Sequence, residues 1–135
     1  MILFIDSDIL IDVILIRQPH FNSSVEITEL NRDDSYVLCT SVHSLLNIHY
    51  AVKKVFGEKI ARQGISVLTK KLKIIPEDID TVQQAVDSSF SDFEDAVQYY
   101  AAIAAKADAI ITRNIKDYKH SSIPVLTAEQ FLKKL

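Results

Sequence analysis

Hydrophobic positions along this chain follow two alternating rhythms. Short unbroken apolar runs stand at 2–5 (ILFI), 36–40 (YVLCT), 73–76 (KIIP), 109–112 (AIIT) and 124–127 (PVLT). Their length suits strands buried on both faces. Between them, apolar residues recur three and four apart, which predicts helices. The first helix runs through ILIDVILI (9–16), capped by Ser7 or Asp8. A weaker amphipathic one covers 21–33, with Val25, Ile27 and Leu30. Ser41 starts a third, whose stripe is Val42, Leu45, Leu46, His49 and Val52 or Lys53 and which Gly57 ends. A fourth covers 58–72, weakened by Gly64. The fifth, within 77–89, turns Ile79, Val82 and Val86 inward. In the sixth, Phe93, Ala96, Val97, Tyr100 and Ala104 form the apolar face. Ser91 with Glu94 fits a capping box, which starts that helix near Asp92. A last helix covers AEQFLKKL (128–135). Strands alternating with helices predict a parallel sheet covered on both faces. No linker or repeat interrupts the pattern, so residues 1–135 are expected to form one domain.

Composition narrows the chemistry. Two glycines leave no Gly-rich phosphate loop, and a single cysteine excludes an internal disulfide or a cysteine-based zinc site. A lone reduced cysteine suits a reducing compartment, so the expected location is the cytoplasm. Acids at positions 6, 8 and 12 break the first apolar run, which is neither a secretory signal nor a membrane span. Net charge is −3, so bulk electrostatics do not advertise a nucleic-acid binder. Local basic clusters remain at Lys53 with Lys54, at Lys70, Lys71 and Lys73, and at Arg113, Lys116, Lys119 and His120. The last of these lies beside acids.

The acids are placed suggestively. Asp6 follows the first strand, at the edge of an open parallel sheet where ligands bind. Asp92 and Asp95 open the helix that leads into AIIT, and Asp117 lies in the polar turn TRNIKDY (112–118) just beyond it. If those two strands are neighbours, the carboxylates converge. Two carboxylates about 4 Å apart repel by roughly 4 kcal/mol at an effective dielectric near 20, so such a cluster needs protons or a cation. Oxygen donors without Cys or His select Mg²⁺ or Mn²⁺ over Zn²⁺. Each acid taken singly is equally explained as a helix cap or surface charge, Asp92 and Glu94 above all; Asp12 reads as structural or solvated.

The pieces ILFIDSDILID, TS-x5-N at 40–47, DFEDAVQYYAA, TRNIKDY and PVLTAEQFL occur in an order that resembles the PIN-domain family, the ribonuclease fold used by toxins of the VapC type. The resemblance covers essentially the whole chain. It implies a three-layer α/β/α domain around a central parallel sheet of about five strands. It also implies one or two Mg²⁺ or Mn²⁺ ions held by Asp6, Asp95 and Asp117, with Asn114 joining the last. Ser7 and Thr112 are expected to orient ligands, and Arg113 and Lys116 to steady RNA phosphates. Asn47 stands where the family carries glutamate, which removes one negative charge; Asp8 or Asp92 is placed to restore it. The function implied is a metal-dependent endoribonuclease acting on RNA, with a small antitoxin as partner and a homodimer formed through the apolar face of 42–72. The alternative is a weak or non-cleaving PIN-like module that binds RNA or protein. Aspartyl-phosphate chemistry, suggested by DSD after a strand, lacks the Gly-Asp loop of haloacid-dehalogenase phosphatases.

Overall fold

The computed structural model describes residues 1–135. Five strands form one parallel sheet: β1 (Ile2–Ile5), β2 (Val37–Ser41), β3 (Lys73–Ile75), β4 (Ala109–Ile111) and β5 (Val125–Leu126), in the order β3-β2-β1-β4-β5. Register puts Leu3 between Leu38 and Ala109, and Phe4 between Cys39 and Ile110. Side chains alternate across a strand. Leu3 and Ile5 therefore enter one apolar layer, and Phe4, Cys39 and Ile110 enter the other. Both layers are covered, which gives the α/β/α arrangement that the unbroken apolar strands predict.

The first layer is covered by α1 (Ser7–Ile14), α2 (Phe21–Thr28), α3 (Val42–Phe56), α4 (Glu58–Lys71) and α7 (Ala128–Leu132), with a 3₁₀ turn at Glu29–Arg32. The opposite layer is built on α6 (Phe93–Ala104), against which α5 (Ile79–Val86) packs. Gly57 joins α3 to α4 at φ 88°, a backbone conformation that side chains other than glycine rarely adopt. Gly64 does not interrupt α4; it packs against Ile14, whose Cδ1 would lie 3.7 Å from an added Cβ.

Several local expectations shift. Asp6 itself caps α1, its carboxylate accepting from the Ser7 N–H, so neither Ser7 nor Asp8 is the cap. Asp92 caps α6 by accepting from the Asp95 N–H at 3.0 Å, so Ser91 forms no capping box. In α5, Thr81 and Ala85 are buried while Ile79 and Val86 are each 66% exposed. The reason is that Asp78 caps the helix through the Thr81 N–H and hydroxyl, and Ala85 packs on Ala96 and Val97 of α6. In α3 the buried stripe is Ser44, Leu45, Ile48 and Val52, leaving Val42 and Leu46 outward. Phe93 and Ala104 lie exposed at the ends of α6, which buries Gln98 and Tyr99 instead. TRNIKDY contains a 3₁₀ turn, Ile115–Tyr118, that carries Tyr118 into the core.

Candidate active site

Strand order reverses between β1 and β4, and the carboxyl ends of these two strands form the edge where open α/β sheets bind ligands. Asp6 and Thr112 leave the sheet there, locked together because the Asp6 N–H donates to the Ile111 carbonyl at 2.9 Å. Asp6 is 7% exposed and its carboxylate is saturated. Oδ1 accepts from the Ser7 N–H at 2.7 Å and from Gln98 Nε2 at 3.1 Å, with the Ser7 hydroxyl at 3.4 Å. Oδ2 accepts from the hydroxyls of Thr112 at 2.8 Å and Tyr118 at 3.2 Å. A carboxylate offers about four lone-pair positions, so its orientation is fixed from all sides.

Gln98 extends this network. Its Oε1 accepts from Ser44 Oγ at 2.5 Å and Ser41 Oγ at 3.2 Å, tying α6 to the start of α3. Asn47 is half-buried, one turn beyond Ser44 on the same side of α3. Neither Gln98 nor Tyr118 is singled out by the sequence. Gln98 carries only a faint signal, a polar residue one turn after Asp95 within an otherwise apolar helix.

Asp8 lies in the first turn of α1. Its Oδ2 accepts from the Arg113 N–H at 3.0 Å and from Asn114 Nδ2 at 3.1 Å, while the Thr112 hydroxyl lies 3.3 Å away. Its Oδ1 is buried with no partner. Burial, and then the neighbouring Asp6 charge, push the Asp8 carboxyl up to about 7. The Thr112 hydroxyl has one proton, which is shared between the nearer Asp6 Oδ2 and the more distant Asp8 Oδ2.

The Arg113 guanidinium is turned toward α1 rather than free for phosphate. Its Nη2 donates to Asp12 Oδ1 at 3.1 Å, and Nε lies 2.8 Å from Oδ2 in an ionic contact off the line of a hydrogen bond. Asp12 is fully buried, neither solvated nor a mere surface charge. Burial raises its pKa, and Arg113, then His20 and Arg17, pull it back. Other basic clusters are partly engaged too: Lys53 on Glu58, Lys71 on Glu29, and Lys54 over the Tyr50 ring. Lys116 is exposed.

Asp95 sits half-buried in the first turn of α6, and its carboxyl is pushed up to about 6. Burial is the largest cause, followed by the charges of Asp92, Asp117, Asp6 and Glu94. Asp92 at the start of α6 and Asp117 in the 3₁₀ turn are both exposed, as is Asn114. Acids from three distant segments thus act on one another, as required if β1 and β4 are neighbours. No three Asp, Glu, His or Cys side chains stand close enough to cage an ion by themselves. An all-oxygen donor set, an orphaned buried carboxylate oxygen on Asp8 and an unneutralised field on Asp95 nevertheless fit a hard divalent ion. Mg²⁺ commonly takes only one or two carboxylates and keeps its waters, which suits a site of this kind.

Solved structures of similar shape include a toxin and a toxin–antitoxin complex. A toxin–antitoxin complex from Klebsiella pneumoniae matches at 22% identity and TM-score 0.67, over 93% of this chain and 96% of that one. VapBC-1 from nontypeable Haemophilus influenzae matches at 13% identity and TM-score 0.70, over 96% and 99%. VapC20 from Mycobacterium tuberculosis, a sarcin–ricin loop cleaving toxin, matches at 15% identity and TM-score 0.63, over 80% and 86%. At such identities the likeness speaks for the fold. Comparison by sequence with curated proteins finds no match. The family model described as PIN domain matches residues 3–116, and with Asp6, Asp95, Thr112 and Asp117 at one sheet edge, this chain belongs to the PIN-domain family.

Proposed function

We propose that this protein is an endoribonuclease that depends on Mg²⁺ or Mn²⁺ and forms the toxin half of a toxin–antitoxin pair. The observation that carries this reading is the gathering of Asp95 with Asp92, Asp117 and Asp6 at the switch point of a PIN sheet, where burial first and then those charges raise the Asp95 carboxyl. The toxin–antitoxin assemblies among the similar structures support it, as does the RNA-cleaving toxin VapC20.

Asp95 and Asp117 would hold the ion together with Asp6, whose Oδ2 is freed when the Thr112 or Tyr118 hydroxyl turns away, and Asp92 and Asn114 stand beside them. Bound there, a divalent ion neutralises the acids, polarises a phosphoryl oxygen and makes water a better nucleophile near neutral pH. Asp6 is aimed before substrate arrives, because Ser7, Gln98, Thr112 and Tyr118 fix both its oxygens. Asn114 and the Arg113 N–H fix Asp8 in the same way. Lys116, exposed in the 3₁₀ turn, contacts the RNA backbone, which gives affinity without sequence choice. Arg113 acts through its grip on Asp12. Water attacks the phosphorus in line, the bond to the 3′ oxygen breaks, and the products are a 5′-phosphate and a 3′-hydroxyl.

The antitoxin is a small protein that covers the acidic edge. A homodimer would use the outward apolar side chains of α3 and α4, among them Leu46, Tyr50, Val55 and Val67. No helix is long and apolar enough to cross a membrane. The cytoplasm, as a reducing compartment, suits the buried free Cys39.

A second reading, a PIN module that binds RNA or protein without cutting, rests on Asn47 in the family's glutamate position. The deciding experiment incubates the protein with RNA and Mn²⁺, and compares Asp6→Asn and Asp95→Asn. Cleavage by the natural protein and none by either folded variant is expected. Cleavage that survives both substitutions refutes the assignment.

A further inference from the structure

Beside the acidic edge lies a cavity that the reaction above does not use. It occupies about 430 Å³ between the start of α3, α5 and the start of α6, and is lined by His43, Glu77, Val82, Phe93, Glu94 and Val97. Its chemistry is mixed in a particular way. Val82 and Val97 form an apolar wall, and Phe93 stands at the lip, 52% exposed. This phenyl ring, at the first position of a helix, forgoes about half of the burial that stabilises aromatic side chains.

The polar groups are incompletely used. Glu77 spends Oε1 on the His43 N–H, at 3.0 Å. The Glu94 side chain is 70% exposed and its Oε2 lies 3.6 Å from His43 Nε2, too far for a hydrogen bond. His43 Nε2 is buried with no hydrogen-bond partner. The cavity therefore offers a ring face, a free carboxylate and an unpaired imidazole nitrogen within one small space.

We infer that this cavity is a nucleobase site selective for guanine, an inference that rests on the RNA-cleaving reading. Single-stranded RNA is read by stacking unpaired bases on aromatic rings and hydrogen-bonding their Watson–Crick edges. Phe93 supplies the ring. On its Watson–Crick edge guanine presents two adjacent donors, N1–H and N2–H, followed by the acceptor O6. Glu94 accepts from the two donors through its two oxygens, and His43 Nε2–H gives the donor for O6 once Glu94 turns to the base. Adenine and cytosine place a ring-nitrogen acceptor where guanine has N1–H, and uracil offers one donor alone; each would face Glu94 with a repelling lone pair.

The position fits a neighbour of the cut phosphate. Phe93 and Glu94 fall between Asp92 and Asp95 in sequence, and consecutive Cα atoms are about 3.8 Å apart. A base in the cavity thus lies within about one nucleotide of the carboxylates. Its negative lining favours the base over a phosphate, which keeps the backbone on the ion's side of α6.

The test uses the full chain with Mg²⁺ and titrates GMP, AMP, CMP and UMP, followed by NMR shifts of residues around the cavity. In parallel, short RNAs varied at each base near the cut are digested. GMP is expected to bind about tenfold more tightly than the other three, as a two-pronged base contact provides. Glu94→Gln should bring GMP to the level of AMP, and Phe93→Ala should weaken all four by about tenfold. Binding of the four within twofold of one another, or a guanine preference that survives Glu94→Gln, overturns the proposal. If GMP is selected and no RNA is cut, the base site stands and the nuclease reading falls. If RNA is cut without preference at any position, the nuclease reading stands and the base site falls.

Discussion

Removing either half of the Asp12–Arg113 pair should reveal how firmly the turn at 112–114 is held. Asp12 is fully buried, whereas the Arg113 side chain keeps 31% of its exposure. The two halves therefore differ in what they strand. Breaking a fully buried ion pair costs roughly 3–5 kcal/mol, because an uncompensated charge remains. Asp12→Ala leaves a guanidinium that water still reaches, so about 2 kcal/mol is expected. Arg113→Ala leaves a buried carboxylate with only His20 and Arg17 to offset it, and about 3 kcal/mol is expected. The double variant buries no charge. It should cost about 3 kcal/mol rather than the sum of about 5, a coupling of about 2 kcal/mol. In a domain of this size each kcal/mol lowers Tm by about 4 °C, so Asp12→Ala should melt about 8 °C early. Urea unfolding of the four proteins measures the cycle. Cleavage should fall with stability held in hand, at a temperature where every variant is folded, because Arg113 also supplies the N–H that fixes Asp8. A coupling below about 0.5 kcal/mol would refute the idea that the pair holds the turn.

Stability of the metal-free protein should fall as pH rises from about 5 to 8. The Asp8 and Asp95 carboxyls are raised to about 7 and about 6 from an ordinary 3.8, so the folded chain binds more protons than the unfolded chain in that window. Below about pH 4 both states hold these protons and the benefit is complete; as pH rises through the folded values it is lost. Glu58, held down to about 2 first by its hydrogen bond to His49, has the opposite sign, but its contribution is lost only on acidification below its ordinary value. Tm recorded by calorimetry should drop across the window, and Asp8→Asn or added Mn²⁺ should flatten the slope; a flat profile for the natural protein would contradict the buried-acid account. Asn47→Glu should raise both Mn²⁺-stimulated cleavage and the Mn²⁺-induced rise in Tm, since Ser44, one turn earlier on α3, reaches Asp6 through Gln98. No change in either would show that position 47 does not face the ion.

The sequence by itself determined the layered architecture, because strand burial and helix periodicity are written in neighbouring residues. ILFI and AIIT are apolar without interruption, and only strands covered on both faces tolerate that. It also marked Asp6, Asp95 and Asp117 through their places at the ends of elements. It did not determine which face of α5 turns inward: the Asp78–Thr81 cap and the fit of Ala85 on α6 outweighed the greater hydrophobicity of Ile79 and Val86. Nor did it mark Gln98 or Tyr118, or bind Arg113 to Asp12. Those residues lie about a hundred positions from their partners, 92 for Gln98 and 112 for Tyr118 on Asp6, and 101 for Arg113 on Asp12. Nothing in the local sequence records such a pairing. Two parallel strands placed side by side bring their carboxyl ends together, and only that crossover decides which buried donors meet which acid.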